Sequence, residues 1–464
     1  MKSRIIILSI GVVASLLLAS FTIEPAMMDS WFGRKKAMKY EINEATKPNL
    51  TIKQGLVCQG KQTVKVKRGR RTIAVVELNE PVMVAQADKP EKWGFFQFPA
   101  IYKNDEGNLI VSWQMGEDSF KATNIGDGRM VSYDEGKTWQ PLVDDYFRKQ
   151  SNRVELKNGD IIQVNTPAAM PVSQYTNFPK SVAKETENGL TFYKVSDLPE
   201  DMRGMYLRRR YTKRQTSKRF HANLDDPGLL RYAQEGLVPI YWLGRIRELE
   251  DGSLIAGVYP AYYQNENGQV LNSGISFYKS WDEGQNWTIW GKIPFITGDA
   301  EEPEVYDSKE EGFSEPSYEI LNDSTYFCVM RTGFFTPVYK SYSYDAGKNW
   351  TKPEAFTSNG VFPRLLKLDE GTMIMASGRP GVQLRFNIDG DGRNWTEPVE
   401  MLPFVDENGD FPKRIRDWET CGYANMMAAD DHTFYLVYSD FRTKDKNGEE
   451  RKAIMCRKIT VKRK

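Results

Sequence analysis

The stretch Ser132-Tyr133-Asp134-Glu135-Gly136-Lys137-Thr138-Trp139 returns three more times along the chain. It recurs as Ser280-Trp281-Asp282-Glu283-Gly284-Gln285-Asn286-Trp287 and as Ser343-Tyr344-Asp345-Ala346-Gly347-Lys348-Asn349-Trp350. A looser fourth copy, Asn387-Ile388-Asp389-Gly390-Asp391-Gly392-Arg393-Asn394-Trp395, carries one extra residue between Asp and Gly. The pattern S-x-D-x-G-x-[T/N]-W reads as a hairpin: the aspartate accepts turn amides, glycine takes the positive-φ position, and tryptophan packs back on the sheet. Trp287 and Trp350 are 63 residues apart, and Trp350 and Trp395 are 45 apart, about one four-stranded blade each. The 148 residues between Trp139 and Trp287 leave room for one or two blades without the octet. With a region before the first octet and one after the last, the count points to six blades.

The surrounding sequence agrees with an all-β chain. Short apolar or alternating runs such as 109–113, 253–258 and 433–438 are separated by turn residues, as at 104–108, 250–253, 369–372 and 408–410. Aromatic residues make up 12% of the 464, which suits strands and also sugar stacking. The net charge of +1 provides no field for nucleic acid or an anionic membrane. Four widely spaced cysteines (Cys58, Cys328, Cys421, Cys456) form neither a disulfide scaffold nor a CxxC zinc site. Only His221 and His432 are present, so acid–base work falls to carboxylates, Tyr or Lys, and no metal or organic cofactor is expected.

The N-terminus adds a location. Lys2 and Arg4 precede the apolar run Ile5 to Leu18, and Ala19 and Ser20 follow. This order describes a secretory signal over residues 1–22, removed on export to the periplasm or outside the cell. The run is shorter than the ~20 residues of a transmembrane helix, although an uncleaved anchor is the alternative. Residues 23–90 then form a β segment that completes the last blade or adds to it, ahead of a propeller over 91–464. The stretch 203–219 holds eight Lys or Arg and reads as a solvated hairpin face, or as an anion-binding insertion.

The octets resemble the Asp-box, or BNR repeat, of the sialidase (neuraminidase) superfamily, and the resemblance spans roughly residues 90 to 460. It implies a six-bladed sialidase-like β-propeller and an exo-glycosidase acting on a terminal acidic sugar of a glycan. The motif speaks to fold more than to activity, since Asp-boxes are peripheral turns. In that family a tyrosine attacks the anomeric carbon, because the substrate's own carboxylate repels a carboxylate nucleophile. A glutamate activates the tyrosine, an aspartate serves as acid and base, and three arginines clamp the substrate carboxylate bidentately.

By local context the resemblance places these roles on particular residues. Ser314-Glu315-Pro316-Ser317-Tyr318 is similar to the segment of the activating glutamate, and Arg331 follows 16 residues later as a clamp residue. Arg379, in Gly378-Arg379-Pro380-Gly381, resembles the next clamp arginine. Tyr423 in Gly422-Tyr423-Ala424-Asn425 is the nucleophile candidate, and Asp118, 16 residues before Asp134, the acid/base candidate. Each taken singly has a plainer reading: a salt-bridge arginine, a packed strand tyrosine, a loop-capping aspartate whose neighbour Glu117 could serve instead. The chain departs from the family at Phe96-Gln97-Phe98-Pro99, where Gln97 stands in place of the first clamp arginine. Loss of that charge-assisted pair costs on the order of 1.5–3 kcal/mol. Arg245, in Gly244-Arg245-Ile246-Arg247, is the expected substitute. Gln97 therefore leaves open a glycosidase for another sugar and a non-catalytic glycan-binding propeller.

Overall fold

The computed structural model describes residues 50–51, 60–104, 106–119, 126–142, 153–183, 189–240, 243–307, 310, 312–333, 336–379, 381–402 and 419–464. The expected signal segment 1–22 lies outside the described residues, as does Cys58.

The chain is a β-propeller of successive antiparallel sheets. The first blade consists of Phe95–Lys103, Leu109–Met115, Gly126–Ser132 and Gln140–Pro141. The second uses Arg153–Glu155, Ile161–Val164, Met205–Tyr211 and Thr216–Asp225, and the third Leu243–Glu248, Leu254–Ala261, Gly274–Ser280 and Asn286–Ile293. The outer strands of these two pair in parallel, Leu224 opposite Trp287, which merges both blades into one eight-stranded sheet. The fourth blade runs from Ser314–Ile320 through Tyr326–Arg331 and Val338–Ser343 to Glu354–Ala355. The fifth runs from Val361–Lys367 through Met373–Gly378 and Val382–Asn387 to Val399–Leu402.

The closing sheet joins early strands of the described chain to its last ones. Ala424–Ala428, Thr433–Lys444 and Glu450–Arg463 pair in order, and Arg71–Leu78 adds beside the last of them, Val76 opposite Val461. Val82–Gln86 pairs with the same C-terminal strand, Ile454 opposite Ala85.

Apolar clusters fill the spaces between neighbouring sheets. Ile374, Leu384 and Phe386 of the fifth blade pack on Ala424, Phe434 and Leu436 of the closing sheet. Val111 and Trp113 of the first blade meet Val437 and Ile454 on its other side. Strands buried on both faces read as continuous apolar runs, which is why Tyr326–Met330 and Met373–Ala376 lack polar alternation.

The octets sit between the third and fourth strands of the first, third, fourth and fifth blades. In the first, Ser132 Oγ donates to Asp134 Oδ1 at 2.8 Å and accepts the Gly136 N–H at 2.8 Å. Asp134 also accepts the amides of Lys137 and Thr138. These bonds hold its carboxyl down to about 2, the Thr138 hydroxyl contributing most. Positive φ is not confined to glycine: Glu135, Glu283 and Ala346, each at 60°, precede Gly136, Gly284 and Gly347 at 84°, 89° and 88°. The fourth octet uses its extra residue to shift the aspartate. Asp391 accepts the Arg393 amide, Asn387 replaces the serine as acceptor of the Gly392 N–H, and Asp389 is released to pair with Arg68. Trp287 is fully buried, and its indole donates to Gly284 O at 2.9 Å. At roughly 25 cal/mol per Å² and about 150–250 Å², that burial contributes roughly 4–6 kcal/mol of transfer free energy.

The long interval between the first two octets holds one four-stranded blade and a further sheet. The latter is built from Met170–Pro171, Leu190–Lys194, Leu230–Gln234 and Leu237–Val238 around Leu198, Met202 and Ile240. The basic stretch forms the hairpin between Met205–Tyr211 and Thr216–Asp225. Arg209 within it is buried and pairs with Asp160 at 2.7 Å and with Glu283 of the neighbouring octet. That arginine is an inter-blade tie.

Candidate active site

Three blades begin their innermost strand with the same distortion. Strand register shifts between Gln97 and Ala100 in the first blade, Ser314 and Ser317 in the fourth, and Val361 and Arg364 in the fifth. Each shift spans an X-Pro pair: Phe98-Pro99, Glu315-Pro316 and Phe362-Pro363. The residue before proline has φ of 52°, 49° and 48° respectively. Proline has no N–H to lose from the ladder, so it is tolerated at such a bulge. A non-glycine residue held at positive φ costs on the order of 1–3 kcal/mol, a strain that the surrounding packing must sustain.

The three bulges converge on Tyr423. The Phe98 ring meets its ring edge-on at 4.8 Å between centroids, and Phe362 lies tilted against it at 4.4 Å. Glu315 Oε1 accepts the Tyr423 hydroxyl in a short hydrogen bond, and Oε2 accepts the Phe362 backbone N–H at 2.7 Å. Arg331 ends the second strand of the fourth blade opposite Ser314, which sets it beside Glu315. Its Nη1 donates to Glu315 Oε1 at 3.0 Å and to the Tyr423 oxygen at 3.1 Å. All three side chains are buried.

Arg379 reaches the same phenol through two glycines. A Cβ on Gly378 would lie 1.8 Å from Gly422 O, so only glycine there lets the fifth blade and the closing sheet approach this closely. Arg379 (φ 47°) then donates from Nε to Cys421 O at 3.0 Å. Its guanidinium stands 5.4 Å from the Tyr423 ring and 5.6 Å from that of Trp93. Trp93 in turn donates its indole N–H to Asp118 Oδ2 at 3.3 Å. Gly94 permits this, since a Cβ there would meet Gly116 O at 2.2 Å and Asp118 N at 2.8 Å. Asp118 is thus tied through Trp93 to Arg379 and stays partly exposed, while Glu117 points to solvent.

Burial pushes the Tyr423 phenol well above the ordinary tyrosine range, and the Glu315 carboxylate pushes it the same way. Arg331 and Arg379 pull it down without cancelling that shift. The phenol is therefore protonated at rest. An acceptor already in contact, Arg331 on the oxygen and a second guanidinium 5.4 Å from the ring are what its transient ionisation requires. Among the described residues no group of three His, Cys, Asp or Glu is placed to hold a metal ion.

Two expected residues are placed differently from the rest. Gln97 is fully buried between two positive-φ phenylalanines, Phe96 and Phe98, and among the described residues neither atom of its amide has a hydrogen-bond partner. Arg245, expected to replace the missing clamp arginine, is engaged elsewhere: it donates to Leu365 O at 3.2 Å and lies 3.8 Å from Glu319. The reason is register. Arg245 faces Gly257 in an unbroken ladder, whereas Phe98, Glu315 and Phe362 each lie within a register shift. Sequence reasoning also missed Trp93, Phe98 and Phe362. A readable signal existed in the recurrence of Phe-Pro at 98–99 and 362–363 with Glu-Pro at 315–316, each opening an apolar strand.

No protein-family model matches the chain, and no curated protein matches it. Among solved structures it is similar to a protein of unknown function from Dyadobacter fermentans, at 16% identity and a TM-score of 0.56, over 83% of this chain and 99% of that one. That likeness is one of fold. Weaker likenesses are to the α-L-arabinanase of Penicillium chrysogenum (16% identity, TM-score 0.45, 82% of this chain and 98% of that one) and to a mutant NanB sialidase of Streptococcus pneumoniae (17%, 0.43, 82% and 70%).

Proposed function

We propose that this chain is an exported exo-glycosidase that releases a terminal acidic sugar, sialic acid or a relative, from a glycan with net retention. The closing sheet counts as the sixth blade of its propeller, and residues 1–22 are the export signal. The observation that carries the reading is the buried phenol of Tyr423 donating to Glu315 while Arg331 donates to both. A tyrosine packed only for stability has no need of a carboxylate and a guanidinium on its oxygen and a second guanidinium near its ring.

In this mechanism the Tyr423 oxygen attacks the anomeric carbon as its proton passes to Glu315. Asp118 gives a proton to the departing glycosidic oxygen. Water then attacks the aryl glycoside, its proton taken by Asp118, and the phenolate recovers its proton from Glu315. Arg331 and Arg379 face the sugar carboxylate and hold down the charge that develops on the phenol oxygen. A glycan is the only partner this site asks for.

Gln97 favours a second reading on the same chemistry. An uncharged amide where a third cation would sit suits a sugar whose acidic group needs two guanidinium groups, such as a different 2-keto acid. The deciding experiment is hydrolysis of a fluorogenic α-sialoside beside a panel of other 2-keto sugar and neutral glycosides, with Tyr423→Phe in parallel. Release that collapses in the variant supports the mechanism, and the substrate that responds names the sugar. Binding of a glycan without release, unchanged in Tyr423→Phe, makes the chain a lectin-like propeller instead.

A further inference from the structure

The outer part of the closing sheet sets the hairpin Gln62–Arg68 and Arg71–Leu78 beside the C-terminal strand Glu450–Arg463. Val64, Val66, Ala74, Val76 and Val461 turn to the core and are buried. The alternate positions turn to solvent. Lys65 and Lys67 are exposed on the first strand of the hairpin, and Lys462 and Lys464 are exposed at the end of the C-terminal strand and just beyond it. Register sets Val75 opposite Lys65 on one side and opposite Lys462 on the other. Lys65 and Lys462 are therefore about 10 Å apart across the sheet, two strand spacings, and Lys67 follows Lys65 at about 6.6 Å along its strand. Arg70 and Arg71, both exposed, extend the patch at the hairpin turn.

The carboxylates around this patch are engaged at its borders. Glu77 pairs with Lys462 at 2.6 Å, Glu370 with Arg463 at 3.5 Å, and Asp389 of the fourth octet with Arg68 at 2.5 Å. Asp391 accepts the Arg393 amide, and Glu80 accepts the Lys61 amide at the far end of the hairpin. Among the described residues the side chains of Lys65, Lys67, Arg70, Arg71 and Lys464 make no hydrogen bond and no ion pair. The other basic hairpin, Met205–Tyr211 with Thr216–Asp225, instead engages Arg209 with Asp160 and Glu283, and Arg208 with Ser217.

Like charges gathered on one face repel one another, and a bound polyanion relieves that repulsion. The patch carries no aromatic ring on which unstacked bases could rest. It carries no exposed large apolar side chain to enter a bilayer. The chemistry it fits is an extended hydrophilic chain with repeated anionic groups. We propose that this face binds an acidic polysaccharide, whose carboxylate or sulfate groups lie over the lysines flanking Val75 and over the arginines of the hairpin turn. Lysine suits such a chain as a mobile point charge that needs no fixed bidentate geometry. The patch is on the outer part of the sheet whose innermost strand follows Tyr423, so a polymer held there lies on the same blade as the candidate site. The surface does not rest on the reading of Tyr423 as a nucleophile.

The test is biolayer interferometry of the full chain on immobilised polygalacturonate and on heparin, at pH 7 and at low and high salt. The wild type is compared with Lys65→Gln/Lys67→Gln/Arg70→Gln and with Lys213→Gln/Lys218→Gln/Arg219→Gln, which removes the same charge from the other basic hairpin. All the substituted side chains are exposed, so neither variant should lose its fold. Saturable, salt-sensitive binding is expected in the wild type and in the second variant, and weakened about tenfold or more in the first. Absence of binding in the wild type, or equal weakening in the two variants, overturns the proposal. Tighter binding to single-stranded DNA or to phosphatidylglycerol vesicles than to either polysaccharide overturns the choice of partner. Tyr423→Phe should bind both polysaccharides as the wild type does; a loss of affinity there would assign the binding to the candidate site and overturn the proposal.

Discussion

The Phe362 backbone N–H lies 2.7 Å from Glu315 Oε2, so the bulge of the fifth blade holds the carboxylate presented by the equivalent bulge of the fourth. Oε1 is left to Tyr423 and Arg331. The carboxylate is thus fixed in position by backbone and directed at the phenol by what remains, an arrangement that pre-organises it as a base.

Glu315→Gln should therefore lower kcat on the responding glycoside by about 10²–10⁴-fold, since the amide cannot take the phenol's proton. It should also destabilise the fold by roughly 3–5 kcal/mol, because Arg331 is left buried without its counter-charge. Steady-state kinetics and urea unfolding read the two effects separately; a variant with normal turnover removes Glu315 from the mechanism.

Gln97→Met tests the opposite case. Replacing a buried amide that has no partner by an apolar side chain of similar shape should raise stability by about 1–3 kcal/mol. An increase in KM of the same variant would place the amide against the substrate, and an unchanged KM would leave it as buried strain. Loss of stability would contradict the unpaired amide.

Burial raises the Glu419 carboxyl from 4.5 to about 8, Arg442 opposing it only in part. A folded-state value above the unfolded one means that the folded chain holds a proton the unfolded chain gives up. Its contribution to stability is complete below pH 4.5 and declines until the pH passes about 8. The melting temperature should fall across that window in the wild type, and Glu419→Gln should flatten the fall.

The octet aspartates act at the other end of the scale. Asp134 is held down to about 2, and Asp282 and Asp345 are lowered as well by the amides they accept. With folded values below the unfolded ones, their contribution is present above pH 4 and lost as the pH falls toward 2. Acid unfolding monitored by tryptophan fluorescence should begin at higher pH in Asp134→Asn than in the wild type.

Trp287→Ala removes the largest fully buried octet side chain, and the cavity and transfer terms together should cost about 3–5 kcal/mol. Chemical denaturation measures this directly, and a cost below 1 kcal/mol would show that the octet tryptophan does not hold the blade.

The sequence alone determined what is held within a few residues. Each octet's internal hydrogen bonds join positions no more than seven apart, so serine, aspartate, glycine and tryptophan at fixed spacing carry the turn wherever it occurs, and four copies make an all-β repeat protein legible. Glu315 and Arg331 were readable together for the same reason, as facing residues of one hairpin. What only tertiary structure decided depends on how blades meet. Arg71–Leu78 closes the ring against a strand nearly 400 residues later, Gly378 admits Gly422, and three X-Pro bulges from separate blades aim at one phenol. Arg245 stands in an unbroken ladder while Glu315 and Phe362 occupy bulges, a difference set by inter-strand register. Local spacing carries no record of it, because the approach of one sheet to the next is settled by packing between residues far apart in the chain.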